Sequence, residues 1–190
     1  MKIETNKFNV SPGFYIYAAL LVLTVPARWV FGFVTAAWIH ELGHLLALKL
    51  LNVRILRIHL EVSGAVIETG NIGTIQELVS AAAGPAAGAL TVFTAKLFPE
   101  ISFCALAQTV FNLIPVYPSD GGRILRCILC TLLQEKHATS IIMWITRFTL
   151  ATLLAVCVYL FRYKTLGIIP LLGVVLIGRR IVNMKNSLQR

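Results

Sequence analysis

The sequence predicts an all-α polytopic membrane protein with about six transmembrane helices and a short membrane-surface β-ribbon between spans 2 and 3. The 190 residues are 57% hydrophobic and 13% charged, whereas a soluble domain carries about a quarter charged residues. The apolar residues also form runs long enough to cross a bilayer, which takes about 20 helical residues. We therefore expect a single membrane domain over residues 1–190, with short cytoplasmic tails at 1–12 and 179–190.

The apolar runs divide the chain into predicted spans. They cover about 13–27, 29–51, 78–98, 101–116, 140–161 and 166–178. Residues 52–76 instead alternate polar and apolar side chains around Gly64, which is the period of a strand. This segment is the predicted ribbon, and an incoming extended peptide could pair with it by strand addition. In the third span, Gly84-x-x-x-Gly88 predicts a close approach of two helices.

The net charge of +9 could indicate nucleic-acid binding, but the basic residues are dispersed at the ends of the apolar runs. That distribution is typical of membrane-surface loops, so we expect no nucleic-acid partner. Most Lys and Arg residues fall on the side of the two termini, which predicts that both termini are cytoplasmic. Arg147 lies inside the fifth span, where it must pair within the bundle or extend towards an edge, and its position favours pairing.

A metal-binding pattern lies in the second span. His40-Glu41-Leu42-Gly43-His44 reads H-E-x-x-H, and between Arg28 and Lys49 these two histidines and Glu41 are the ionisable residues. Residues i and i+4 share a helix face, so His40 and His44 can bind one metal ion, with Glu41 directed at its water. The alternative is a polar contact between helices. We favour a metal site because ionisable groups in an apolar helix are costly without a partner.

A catalytic zinc usually takes three protein ligands. Asp120 lies where prolines and glycines break an apolar run, on the membrane side predicted for His44, and we favour it as the third ligand. The alternative is that Asp120 caps a helix beginning at Gly121. If so, the ligand must be sought in the ribbon, at His59, Glu61 or Glu68.

Three segments together resemble the site-2 protease family of intramembrane zinc metalloproteases, and within it the stage IV sporulation-type branch. They are His40-Glu41-Leu42-Gly43-His44, Ala83-Gly84-Pro85 and Asn112-x-x-Pro115-x-x-Pro118-x-Asp120-Gly121-Gly122. The resemblance implies that His40, His44 and Asp120 hold Zn²⁺, that Glu41 is the general base, and that Asn112 binds substrate. It implies cleavage of a membrane-anchored protein within or near its transmembrane segment, in a bacterial cell membrane. The match covers about residues 29–126, and from the sequence we expect neither the nucleotide-sensing CBS domain nor the PDZ domain of some relatives.

The resemblance also implies a substrate class, a sporulation sigma-factor precursor, with an anti-sigma factor or a signal-peptide remnant as alternatives. Beyond the lipid bilayer, a membrane-protein regulator or a homo-oligomer is an open expectation. Two other functions compete: a proteolytically silent scaffold of the same fold, and a small proton or metal transporter. The intact Glu41 argues against the scaffold, and the lack of a convincing internal repeat argues against the transporter.

Overall fold

A computed structural model of the chain describes residues 8–61 and 64–162. Its helices are α1 (Pro12–Thr24), α2 (Ala27–Leu50), α3 (Thr74–Leu90), α4 (Pro99–Asn112), α5 (Asp120–Leu132) and α6 (Glu135–Arg162), with a 3₁₀ turn at Thr91–Thr94. Its strands are β1 (Phe8–Val10), β2 (Ile55–Glu61) and β3 (Gly64–Thr69). The chain divides into two compact units, residues 1–113 and 114–190.

Two of the described helices, α2 and the Glu135–Leu160 part of α6, are long and apolar enough to cross a membrane. The apolar helix α1 has only 13 residues. The predicted third span is an α-helix only as far as Leu90, and the fourth ends at Asn112. The predicted span 166–178 and the tail 179–190 lie outside the described residues. The six-span count therefore stays a prediction.

In the first unit, α2 packs against both α3 and α4. The buried residues of α2 form one stripe, because residues three or four apart share a helix face. The stripe consists of Gly32, Ala36, His40, His44, Ala47 and Leu48. Both histidines of the H-E-x-x-H motif therefore point into the packed side of this unit.

The ribbon predicted at 52–76 is confirmed, as β2 pairs antiparallel with β3. The structure adds a third strand, since β1 pairs parallel with β2 and brings Val10 opposite Leu60. Residues 8–10, which fall in the predicted cytoplasmic tail 1–12, therefore belong to the same sheet as the ribbon, and the location of the tail stays a prediction. The strand order β1-β2-β3 makes β3 an edge strand.

The second unit contains α5, which packs against α6, and the loop that precedes α5. The Tyr117 N–H donates to Thr146 Oγ1 over 3.0 Å, and Ser119 Oγ donates to the Ile114 carbonyl over 2.8 Å. A Cβ added to Gly122 would lie 2.5 Å from the Tyr117 nitrogen, so a glycine is needed where the loop folds against α5. These contacts fix the start of α5, where Asp120 lies.

Candidate metal centre

The two motif histidines converge on one point. His40 and His44 are 5% and 7% exposed, and their Nε2 atoms lie 3.1 Å apart. The rings stand at 81° to each other with centroids 4.8 Å apart. Two ligand nitrogens one helical turn apart thus meet at a buried position, as the i, i+4 spacing predicts.

The His44 ring is oriented by α3. Its Nδ1 lies 2.7 Å from the Ser80 carbonyl oxygen, and because that oxygen can only accept, Nδ1 carries the proton and donates. The Nε2 atom of His44 then carries the lone pair. A ring hydrogen bond of this kind is the usual device that fixes the tautomer of a metal-binding histidine.

Gly84 on α3 provides the space for the His44 ring. A Cβ at Gly84 would overlap the His44 imidazole, with Nε2 the nearest atom. At the preceding residue of the motif, a Cβ on Gly43 would lie 2.5 Å from the Ala83 carbonyl oxygen. The backbones of α2 and α3 therefore meet at Gly43, and the His44 ring lies against bare backbone at Gly84.

The other glycine of the Gly84-x-x-x-Gly88 pattern serves a different contact. A Cβ at Gly88 would overlap Thr109 Oγ1 on α4, so Gly88 admits a helix neighbour and not a histidine ring. The pattern predicted close helix packing, which is confirmed. That one of its glycines faces His44 could not be read from the spacing.

Asn112, the last residue of α4, reaches the same histidine pair. Its Nδ2 lies 3.1 Å from His40 Nε2, so the amide N–H donates to a lone pair on that nitrogen. His44 Nε2 carries a lone pair as well, 3.1 Å away. A metal ion bound at this point could accept a lone pair from each of the two ring nitrogens. This donor chemistry fits a metal ion.

Glu41 follows His40 on α2 and is half-buried. A Cβ added to Gly64, the first residue of β3, would lie 3.9 Å from Glu41 Oε1. Gly64 has φ +114°, a conformation that other residues adopt only with strain. The end of the ribbon next to residue 64 therefore lies beside the carboxylate of the motif.

Asp120 is the first residue of α5, and Ser119 occupies the N-cap position. The alternative in which Asp120 caps a helix that starts at Gly121 is therefore wrong. A carboxylate in the first turn is favoured by the helix dipole, and Asp120 is 9% exposed. Among the described residues, His40, His44 and Asp120 form one group of side chains that could hold a metal ion.

The ribbon residues that were alternatives to Asp120 are placed differently. His59 Nε2 lies 3.2 Å from Glu68 Oε1, with the two side chains 26% and 49% exposed. Glu61 is the last residue of β2. In the described residues, none of the three belongs to a group that could hold a metal ion.

Sequence reasoning missed Ser80, whose contribution is a backbone carbonyl and so leaves no trace in the residue type. The one available signal was that Ser80 lies one helical turn before Gly84, on a helix predicted to pack closely.

The chain is similar in sequence to two known proteins. The chain is 30% identical over 179 residues to stage IV sporulation protein FB of Bacillus subtilis, covering 87% of this chain and 59% of that protein. It is 35% identical over 105 residues to a zinc metalloprotease of Methanocaldococcus jannaschii, covering 48% of this chain and 31% of the relative. The chain thus spans from about a third to three fifths of these relatives' lengths. No protein-family model matches it.

Among solved structures, the site-2 protease from Methanocaldococcus jannaschii superimposes with a TM-score of 0.64. The match covers 93% of this chain and 89% of that one, at 24% identity. The chain has the site-2 protease fold. The resemblance indicated by the H-E-x-x-H, Ala-Gly-Pro and Asn-to-Gly-Gly segments is therefore confirmed.

Proposed function

We propose that this chain is a zinc metalloendopeptidase that hydrolyses a peptide bond within or near the transmembrane segment of a membrane-anchored protein. The observation that carries the proposal is the pair of His40 and His44 Nε2 atoms, 3.1 Å apart and buried, with Glu41 next to them in the motif. The named activity of the archaeal zinc metalloprotease, 35% identical over the matched part, supports it.

We assign His40, His44 and Asp120 as the zinc ligands. Two imidazole nitrogens and a carboxylate are a ligand set that catalytic zinc takes, with a fourth position left for water or substrate. The Ser80 carbonyl holds the His44 ring in the tautomer that leaves Nε2 available. When bound, zinc supplies Lewis acidity, which lowers the pKa of a water to about 7 and polarises a carbonyl.

Glu41 is the proposed general base. Its carboxylate accepts a proton from the attacking water and returns it to the amine nitrogen as the peptide bond breaks. Glu41 is half-buried, which suits this role because the carboxylate must reach both the water and the substrate. A glutamine at this position keeps the shape but cannot accept the proton.

Asn112 is the proposed substrate-binding residue. In this structure its N–H donates to His40 Nε2. Once the lone pair of His40 is committed to a ligand bond, the N–H becomes available to a carbonyl oxygen of the substrate. A hydrogen bond that strengthens as negative charge develops on that oxygen would favour the transition state.

The edge strand β3 is the proposed docking site for the substrate backbone. An extended peptide can add to an exposed sheet edge through main-chain hydrogen bonds. Because Gly64 lies beside Glu41, a peptide paired with β3 would run past the general base. Unfolding a transmembrane helix into a strand also exposes its peptide bonds to attack.

We place the protein in a bacterial cell membrane, as a multi-pass protein with both termini in the cytoplasm. Support comes from the two span-length apolar helices and from the Lys and Arg distribution. Reporter fusions after Arg190 and within residues 52–76 should both give cytoplasmic signals. A periplasmic signal at either site would contradict the proposed topology.

We propose a sporulation sigma-factor precursor as the substrate, because the resemblance to the stage IV sporulation-type branch implies it, and a relative named stage IV sporulation protein FB supports a role in sporulation. The test is to co-express wild type or Glu41→Gln with the native membrane proteome and compare the fragments. A cut that appears with wild type and not with Glu41→Gln supports proteolysis. If no membrane protein is cut in a Glu41-dependent way, the scaffold hypothesis replaces it.

A further inference from the structure

Arg147 has an unusual position on α6. The helix is 28 residues long, and Arg147 lies about 18 Å from its first residue and about 22 Å from its last, at 1.5 Å per residue. Its side chain is exposed. In a helix apolar enough to cross a membrane, this puts a permanent cation near mid-depth on an outer surface.

Arg147 contacts an aromatic ring one helical turn away. The Arg147 guanidinium lies 5.6 Å from the centroid of the Trp144 ring, a cation–π contact that orients the cation without neutralising it. Trp144 itself is 67% exposed. Among the described residues, Arg147 makes no ion pair.

Acidic side chains are scarce in the part of the second unit that the structure describes. Residues 136–190 contain no Asp or Glu side chain. In the second unit, Glu135 is bonded to Arg126 over 2.8 Å, and Asp120 is the proposed zinc ligand. A two-fold dimer formed through this face would bring the two copies of Arg147 close together, because both subunits of such a dimer use the same surface patch. Like charges would then face each other.

The surrounding face has the spacing that a second helix needs. Along this face, exposed residues recur at alternating steps of three and four. This spacing is typical of the contact line, or seam, between two helices in left-handed packing. The exposed residues are Trp144, Arg147, Ala151, Leu154 and Val158. An intramembrane charge on such a seam normally meets an opposite charge.

We propose that this face of α6, the Arg147 seam, binds a transmembrane helix of a partner protein that carries an Asp or Glu at the depth of Arg147. The carboxylate pairs with the guanidinium, and the apolar residues of the partner pack along Ala151, Leu154 and Val158. The proposal does not depend on zinc or on proteolysis, since the Arg147 seam lies entirely on α6.

The test uses single-span peptides of leucine and alanine with one central residue, either Asp or Leu. The full chain and a labelled peptide are reconstituted in phosphatidylcholine vesicles, and association is measured by energy transfer. We expect the Asp peptide to bind at least about tenfold more tightly than the Leu peptide, equivalent to about 1.4 kcal/mol. Arg147→Gln should abolish the preference, whereas Arg162→Gln, at the end of the same helix, should leave it intact.

Charge reversal guards against a variant that merely folds poorly. Arg147→Glu should prefer a peptide with a central Lys over one with a central Asp. Equal binding of the Asp and Leu peptides to wild type would overturn the proposal. So would a preference that survives Arg147→Gln, or an Arg147-dependent affinity for phosphatidylglycerol vesicles without any Asp preference, which would assign the arginine to lipid phosphate.

Discussion

The helices α2 and α6 are both long and apolar enough to span a membrane, and both carry ionisable groups in mid-helix, yet they present them in opposite ways. On α2, His40 and His44 are buried against α3 and α4. On α6, Arg147 is exposed, and the ring it contacts is exposed too. Helix packing therefore decides whether a costly polar group becomes an internal site or an external surface.

On α2, a glycine of a neighbouring helix makes room for a buried side chain. Gly84 on α3 lets the His44 ring approach bare backbone, so that Ser80 can orient it. On α6, Arg147 is exposed and its guanidinium lies over the Trp144 ring. The comparison predicts that changes at α2 alter metal binding, whereas changes at α6 alter association.

The largest effects are expected from substitutions of Glu41 and Asp120. Each substitution should cause a severe loss of cleavage, but for a different reason. Asp120→Ala should lose zinc and activity together, because a ligand contributes directly to binding. Glu41→Gln should keep zinc while cleavage falls about 10²–10⁴-fold, the usual contribution of a general base. Metal analysis of both purified variants separates the two roles.

Asp120→Asn is the matched control for Asp120→Ala, because it keeps the side-chain volume and removes the charge. We expect it to lower zinc content as well. Full zinc and near-normal cleavage in Asp120→Ala would show that this carboxylate is not a ligand. The search would then return to His59, Glu61 and Glu68.

The next effect distinguishes the two glycines of α3. Gly84→Ala should reduce zinc affinity at least about tenfold, since loss of a supporting contact alone costs 10–100-fold and here a methyl would displace the ligand nitrogen itself. Gly88→Ala should keep zinc affinity but destabilise the fold by about 1–3 kcal/mol through overpacking against Thr109. Zinc titration and thermal unfolding measure the two effects.

Thr109→Ala should partly rescue the stability of Gly88→Ala, because it removes the hydroxyl that the new methyl would meet. It should do nothing for the zinc affinity of Gly84→Ala. Equal zinc loss in the two single glycine variants would mean that general helix packing, and not the space for His44, controls the site.

Contacts between residues close in the sequence could be predicted, whereas contacts between distant segments could not. The His40–His44 pair could be predicted because helical periodicity alone brings the residues together. The irregular backbone near Asp120 was indicated by its prolines and glycines. Strand β1 was missed because three residues pair with a strand far along the chain, and Ser80 because a backbone carbonyl has no residue signature.

The exposure of Arg147 could not be predicted for a related reason. In a helix that is apolar nearly all round, the sequence pattern does not say which face meets the neighbouring helices. Arg147 makes no ion pair among the described residues, and the expectation that it pairs within the bundle stays a prediction.

The smallest expected effect is at the ribbon pair His59 and Glu68. Both side chains are partly exposed, so the pair contributes at most about 1 kcal/mol and less in high salt. His59→Gln should leave zinc content and cleavage near wild type. A clear loss of zinc in this variant would instead place a ligand in the ribbon.

The most direct test of the central claim is X-ray absorption at the zinc edge, combined with elemental analysis, on purified active protein. We predict about one zinc per chain, with two nitrogen ligands at about 2.0–2.1 Å, of which His40→Ala and His44→Ala should each remove one. Active protein without metal, or a zinc spectrum unchanged by both substitutions, would contradict the assignment of these histidines as ligands.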